Sequence, residues 1–168
     1  GAQRSKHVTS VVFVAKAMGR SSLFNSIQVG ARLPAHATVL GRVLLSDMSM
    51  AALGELYAGR TLQAFTPQTP TTLARLKELI DQDKARGYGV SQGGFEAGIS
   101  TIAAPVYDDR HAVTAAVSVT VPAQQVDAGN LSVLAEHVKA AAARLSQRIS
   151  HLPQAPAGTP SISEKTYA

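Results

Sequence analysis

Apolar and polar positions follow two rhythms along this chain. The first is extended. Residues 8–17 (VTSVVFVAKA) are rich in β-branched side chains, and 22–30 (SLFNSIQVG) set Leu23, Ile27 and Val29 against polar neighbours. Both are expected as strands, joined by a turn at MGRS. Residues 99–107 and 112–121 are long apolar runs around DDRH, which predicts a hairpin with a tight turn. The second rhythm is helical. Pro34 can open a helix in which Val39, Leu40, Val43 and Leu44 share a face. MSMAALGELYAG suggests a short helix ending at Gly59. Leu73, Leu76, Leu79 and Ile80 form the stripe of the clearest helix, with Thr69 as N-cap, Pro70 behind it, and Arg86–Gly87 as the stop. YGVS then resumes an extended path. Leu131, Leu134, Val138, Ala141, Ala142, Leu145 and Ile149 define a long final helix.

The order strand, strand, helices, strand, strand, strand, helix implies an α+β domain, a largely antiparallel sheet with helices packed on it. The last hairpin is expected at its centre, because both of its strands are apolar on both faces. The working domain spans 8–152, with 1–7 as an edge or remnant. From Pro153 the chain turns to Pro, Ser and Thr, which predicts a disordered tail over 153–168.

Composition narrows the class. Hydrophobic residues make up 45% and charged residues 16% of 168, enough to bury a core without staples. Cysteine is absent, which excludes disulfides and thiolate metal sites and fits a reducing cytoplasm. No apolar run approaches the roughly 20 residues of a membrane span. The net charge of +5 raises the question of nucleic acid, but the sixteen Lys and Arg are scattered. The densest group (Arg75, Lys77, Lys84 and Arg86) alternates with Glu78, Asp81 and Asp83 on one helix, the pattern of a solvated face. Eight Phe and Tyr and no Trp leave little for stacking on bases.

Candidate chemistry lies in the small residues of the last strands. Ala112, Thr114, Ala116, Ser118 and Thr120 alternate with Val113, Ala115, Val117, Val119 and Val121, so the first set shares one face and the second forms core. On the neighbouring strand Thr101 shares a face with Ile99 and Ala103. If Thr101, Ser118 and Thr120 meet, they make a hollow with hydroxyls and little bulk, suited to a small polar ligand. The alternative is a small-residue face that lets a helix pack closely, its hydroxyls bonded to backbone. Catalysis has weak support. His36 with Asp108 or Asp109 and a serine could imitate a triad, but no G-x-S-x-G elbow surrounds any serine and no H-x-x-x-H pair occurs. Asp108 and Asp109 fit turn chemistry. The glycines of GYGVSQGG do not open a helix as a phosphate cradle would. No metal and no cofactor is expected.

VGARLPAHATVLGRVLLS, the helix ending in GYGV, GISTIAAPVYDD, AVTAAVSVTVP and an alanine-rich final helix occur here in that order. Together, over about residues 11–149, they resemble the effector-binding domain of IclR-type transcriptional regulators. ARLPAHAT followed by GRVLL is most similar to the branch governing aromatic-acid catabolism through protocatechuate and β-ketoadipate. The resemblance implies a GAF- or profilin-like curved antiparallel sheet with helices on its faces, binding a small organic acid and associating as dimers or tetramers. Operator DNA would be met only through a winged helix-turn-helix preceding this domain. No such segment precedes Val8, and the family's first strand is missing or unrecognisable. By motif, the resemblance assigns the effector pocket to Val39, Leu40, Ser91, Ile99, Thr101, Ser118 and Thr120. Val39 and Leu40 match positions that are small in a glyoxylate- and pyruvate-sensing member, and Ser91 matches one that can be aspartate. The acid often found four residues before the GI glycine is Gly94 here, with Glu96 nearby.

On this reading a carboxylate is held by the hydroxyls and by the helix opening near His36 to Leu40, where free N–H groups and the positive dipole end favour an anion. Arg32 and Arg42 are expected at the surface. The leading function is a cytoplasmic acid-sensing domain of a regulator. The alternatives are a ligand-free dimerisation module and an enzyme using the same hollow.

Overall fold

The computed structural model describes residues 9–17 and 28–150. Its elements are β1 (Ser10–Val12), β2 (Arg32–Pro34), α1 (Val39–Leu44), α2 (Met50–Leu56), α3 (Leu73–Arg86), β3 (Gly89–Gln92), β4 (Ile99–Tyr107), β5 (Val113–Pro122) and α4 (Ala128–Ser150). The strands form two antiparallel sheets, β1–β2 and β3–β4–β5.

The first sheet departs from expectation. The strand over 8–17 is regular only from Ser10 to Val12, and Val8 lies outside the described residues. Most of the second expected strand, 22–27, also lies outside them. Residues 28–30 form a turn, with Gly30 at φ +90°. The partner of β1 is instead Arg32–Pro34, in the register Ser10 to Pro34. Pro34 therefore ends a strand and does not open the helix. A single 3-10 turn (Ala35–Ala37) follows, and Thr38 caps α1, its hydroxyl accepting the Gly41 N–H at 3.1 Å.

The helical stripes hold except at Leu145, expected on the stripe of the last helix but 42% exposed. Val39, Leu40, Val43, Leu76 and Ile80 are buried in one core with Leu45, Leu53, Tyr57 and Ala103. α2 stops at Leu56, three residues before Gly59 takes a positive φ. α3 begins three residues later than expected. Thr72 is its cap, accepting the Arg75 N–H at 3.2 Å, and Gly87 ends it in the left-handed region. Thr69 is buried elsewhere: its hydroxyl accepts the N–H groups of Phe65 and Thr66 and donates to the Gly94 carbonyl at 2.6 Å.

β4 and β5 run where the apolar runs predict, and β4 is central. β5, expected beside it in the middle, is an outer strand among the described residues. Its faces are nonetheless both covered, because α1 lies on one side of the sheet and α4 on the other. The Asp108 carboxylate accepts the N–H groups of Ala112 and Arg110 in the tight turn. Those bonds, that of Ala112 first, hold its carboxyl below the usual range. α4 starts at Ala128, three residues before the first stripe position, because Asp127 and Asn130 cap it reciprocally. The tail expected over 153–168 lies outside the described residues.

Candidate functional site

The register of the larger sheet decides which small residues meet. Ser91 stands opposite Thr101, and Thr101 opposite Thr120. Cross-strand partners share a face, so these three hydroxyls lie in one row across β3, β4 and β5. Gly89, Ala103 and Ser118 form the next row on that face, and Ile99 with Pro122 the row beyond on the other side. Thr101 Oγ1 and Thr120 Oγ1 are 3.0 Å apart. Ser91 Oγ accepts the Gly94 N–H at 3.1 Å. Ser91, Ile99, Thr101, Ser118 and Thr120 are each half-buried.

α1 covers the same side. Val39 and Leu40 pack in the core cluster that contains Ala103, with Ala116 against it. The two readings of the small face therefore divide it between them. Ala103 and Ala116 let α1 approach, while the hydroxyl-bearing positions keep accessible surface. The reverse face carries Ile102, Ala104, Val106, Val117 and Val119 against α4, as the valine pattern predicts.

Glycines set the clearances of this corner. A Cβ at position 41 would lie 2.0 Å from the Ala35 carbonyl oxygen, and one at position 94 would lie 2.5 Å from Ser91 Oγ. The loop after β3 is pinned from outside by threonines: Thr66 Oγ1 donates to the Gly93 carbonyl and Thr69 Oγ1 to that of Gly94. Phe65 meets Phe95 of this loop with ring centroids 5.0 Å apart and the planes inclined at 47°. Glu96 is exposed on this loop.

Two expectations fail here. Arg42 is not at the surface. It is 3% exposed, and it donates from Nε to Asp83 Oδ2 and from Nη2 to the Val90 carbonyl, both at 2.6 Å. Its place on the helix explains this: it stands three residues after Val39, on the buried side. The helix opening is also a poorer anion site than expected. α1 has six residues and hence a small dipole, and Thr38 already satisfies the Gly41 amide. Arg32 is exposed, as expected. His36 is buried, its Nε2 2.9 Å from the Gln63 carbonyl, to which it donates.

A groove of about 460 Å³ lies between β4 and α4, lined by Pro105, Tyr107, His111, Lys139, Ala143 and Ser146 among others. None of the seven expected residues borders it.

The geometry is that of a hydroxyl-lined sheet under a short helix; comparison with known proteins gives the family of the domain. Residues 5–147 match the family model for the bacterial transcriptional regulator IclR C-terminal domain. This chain belongs to that family. Among its IclR relatives, XynR of Escherichia coli K12 is 29% identical over 140 residues, 83% of this chain and 56% of the relative. The repressor AllR of Klebsiella pneumoniae is 34% identical over 127 residues, 76% and 47%. The chain thus spans about half the length of the curated relatives it matches. A crystal structure of an IclR homolog complexed with 4-hydroxybenzoate, from Microbacterium hydrocarbonoxydans, superposes with a TM-score of 0.73 at 26% identity. It covers 84% of this chain and 56% of that one. The IclR relatives are transcriptional regulators, and this domain is their effector-binding part. Among the described residues no helix is long and apolar enough to cross a membrane.

Proposed function

We propose that this domain senses a small organic or aromatic carboxylic acid for a cytoplasmic DNA-binding regulator, with Ser91, Thr101, Ser118 and Thr120 as the hydroxyls that hold the acid. The observation that carries the reading is the half-buried row Ser91–Thr101–Thr120, in register across three strands beneath α1. Donor counting supports it. Ser91 Oγ accepts from Gly94, so its own hydrogen is free to be given away. The Thr101–Thr120 bond consumes one of two hydrogens and leaves the other. Ser118 adds a further hydroxyl. Hydroxyl donors, not a cation, receive the carboxylate, each bond contributing roughly 0.5–1.5 kcal/mol. Val39, Leu40 and Ile99 form the apolar walls.

The bonds that Ser91, Thr101 and Thr120 make go to one another and to a backbone amide, not to a base. That favours binding over turnover. Ligand occupancy acts by favouring one arrangement of a dimer or tetramer, and operator affinity follows in the protein that carries the DNA-binding part. The homolog complexed with 4-hydroxybenzoate makes that acid the first to try.

Thermal unfolding with a panel of aliphatic and aromatic acids tests the reading. A fitting acid at 100 times its dissociation constant stabilises by roughly 2.7 kcal/mol. Consumption of the acid by the protein, or a panel without any stabiliser, counts against it.

A further inference from the structure

We infer that Gly94 is a positioning residue of the site: its missing side chain and its N–H together hold the Ser91 hydroxyl in place for the acid. The inference rests on the reading of the hydroxyl row as the effector site. Two adjacent glycines follow β3, and they are required for different reasons. Gly93 takes a φ of +74°, a conformation that other residues rarely adopt. Gly94 is not among the glycines with positive φ, so its backbone would accept a side chain. The space would not. A Cβ at 94 would lie 2.5 Å from Ser91 Oγ and 3.2 Å from the Ala37 carbonyl oxygen. Ser91 Oγ in turn accepts the Gly94 N–H at 3.1 Å. Position 94 thus touches a member of the hydroxyl row, the serine that stands opposite Thr101.

A collision at 94 has one way out, because the backbone of both glycines is held. The Gly93 N–H donates to the Ile99 carbonyl at 2.8 Å, and the Gly93 carbonyl accepts from Thr66 Oγ1 at 2.5 Å. The Gly94 carbonyl accepts from Thr69 Oγ1 at 2.6 Å, and Thr69 is buried. The loop therefore has no slack, and the Ala37 oxygen on the other side is backbone. What yields to a Cβ is the Ser91 side chain, by turning to another staggered rotamer. That turn breaks the bond from the Gly94 N–H and takes the hydroxyl away from the direction that the bond fixes. With glycine at 94 the amide occupies a lone pair of Ser91 Oγ, and the hydroxyl hydrogen is left for the ligand carboxylate.

A double-mutant cycle, read by calorimetric titration with 4-hydroxybenzoate, separates this role from a merely structural one. Ser91→Ala and Gly94→Ala should each weaken binding by about tenfold, the loss of one charge-assisted hydrogen bond. The double variant should bind no more weakly than Ser91→Ala alone, because the added methyl then meets no hydroxyl. Wild-type affinity in Gly94→Ala overturns the inference and leaves the acid-sensing reading standing. Losses that multiply in the double variant also overturn it, since the methyl then acts on the loop or the ligand and not through Ser91. Ser91→Ala without effect removes Ser91 from the site, and the inference with it. Failure of the unaltered chain to bind the acid removes the reading and the inference together. Should Gly94→Ala not fold, circular dichroism of the double variant decides. It should fold, because the collision is gone, and its failure to do so overturns the inference.

Discussion

The phenol of Tyr57 is 5% exposed, and its oxygen has no hydrogen-bond partner among the described residues. Burial pushes its pKa up to about 12; the charge of Arg60 and the nearby His36 backbone offset only part of that. The folded state therefore holds this proton more tightly than the unfolded chain, whose phenols titrate near 10. Stability from this group is fully present below about pH 10 and is lost as pH rises towards 12, each pH unit across that interval removing about 1.4 kcal/mol. Tyr57→Phe should abolish that alkaline loss in denaturant titrations at pH 7 and pH 11. At pH 7 it should be neutral or mildly stabilising, because no bond is broken. Thr101→Val should do the opposite kind of thing. It preserves shape and strand propensity, so the fold stays within about 1 kcal/mol. It removes one member of the hydroxyl row, and calorimetry should show acid affinity reduced by about tenfold. The shared face of Ser118 and Thr120 was legible in the sequence because a strand alternates and their spacing is two, whereas the place of Thr101 opposite Thr120 depends on the strand register. Ser91 came only from the family resemblance, and its hydrogen bond to Gly94 depends on a loop conformation that spacing does not encode.

Among the elements, α1, α3 and β3 are joined by one buried ion pair. Arg42 on α1 reaches Asp83 on α3 and the carbonyl of Val90 on β3. Arg42→Met leaves the Asp83 carboxylate buried without its inner partner, and urea denaturation should show a loss of about 3–5 kcal/mol. A loss below about 1 kcal/mol would mean that Arg86 suffices. The sequence did carry a signal for this pair. Arg42 follows Val39 by three residues, and Asp83 follows Ile80 by three and Leu76 by seven, so both charges sit on apolar stripes. Reading each charge alone, as a surface arginine and a solvated helix face, missed that two stripes can bury opposite charges against each other. Helix ends were less legible than helix stripes for a related reason. Thr69 and Thr72 are equally good caps by type. The choice went to Thr72 because the Thr69 hydroxyl is used to pin the Gly94 loop. The pairing of β1 with Arg32–Pro34 was hidden because Pro34 is compatible with a strand end and a helix start alike.

At the scale of the whole molecule, β5 is the unusual feature. It is ten residues long, has no charged residue between Val113 and Pro122, and is paired on one side only, by β4, among the described residues. Every position from Ala115 to Pro122 is half-buried. Protein sheets blunt such an edge with lysine, a bulge or a cover, because unpaired N–H and C=O groups otherwise template another strand. The one irregularity in the β4–β5 register lies at Val106/Tyr107, at the hairpin end, so the pairing is regular along most of the strand. Pairing of this edge with a second copy is a route by which the chain would self-associate. Light scattering across a range of concentrations should give a mass above that of one chain. Thr114, exposed near the start of β5, can take a lysine without disturbing the core. Thr114→Lys should weaken association while leaving thermal stability at low concentration unchanged. A species that stays monomeric at high concentration would contradict the edge argument. If the mass is high but indifferent to Thr114→Lys, the association runs through another surface.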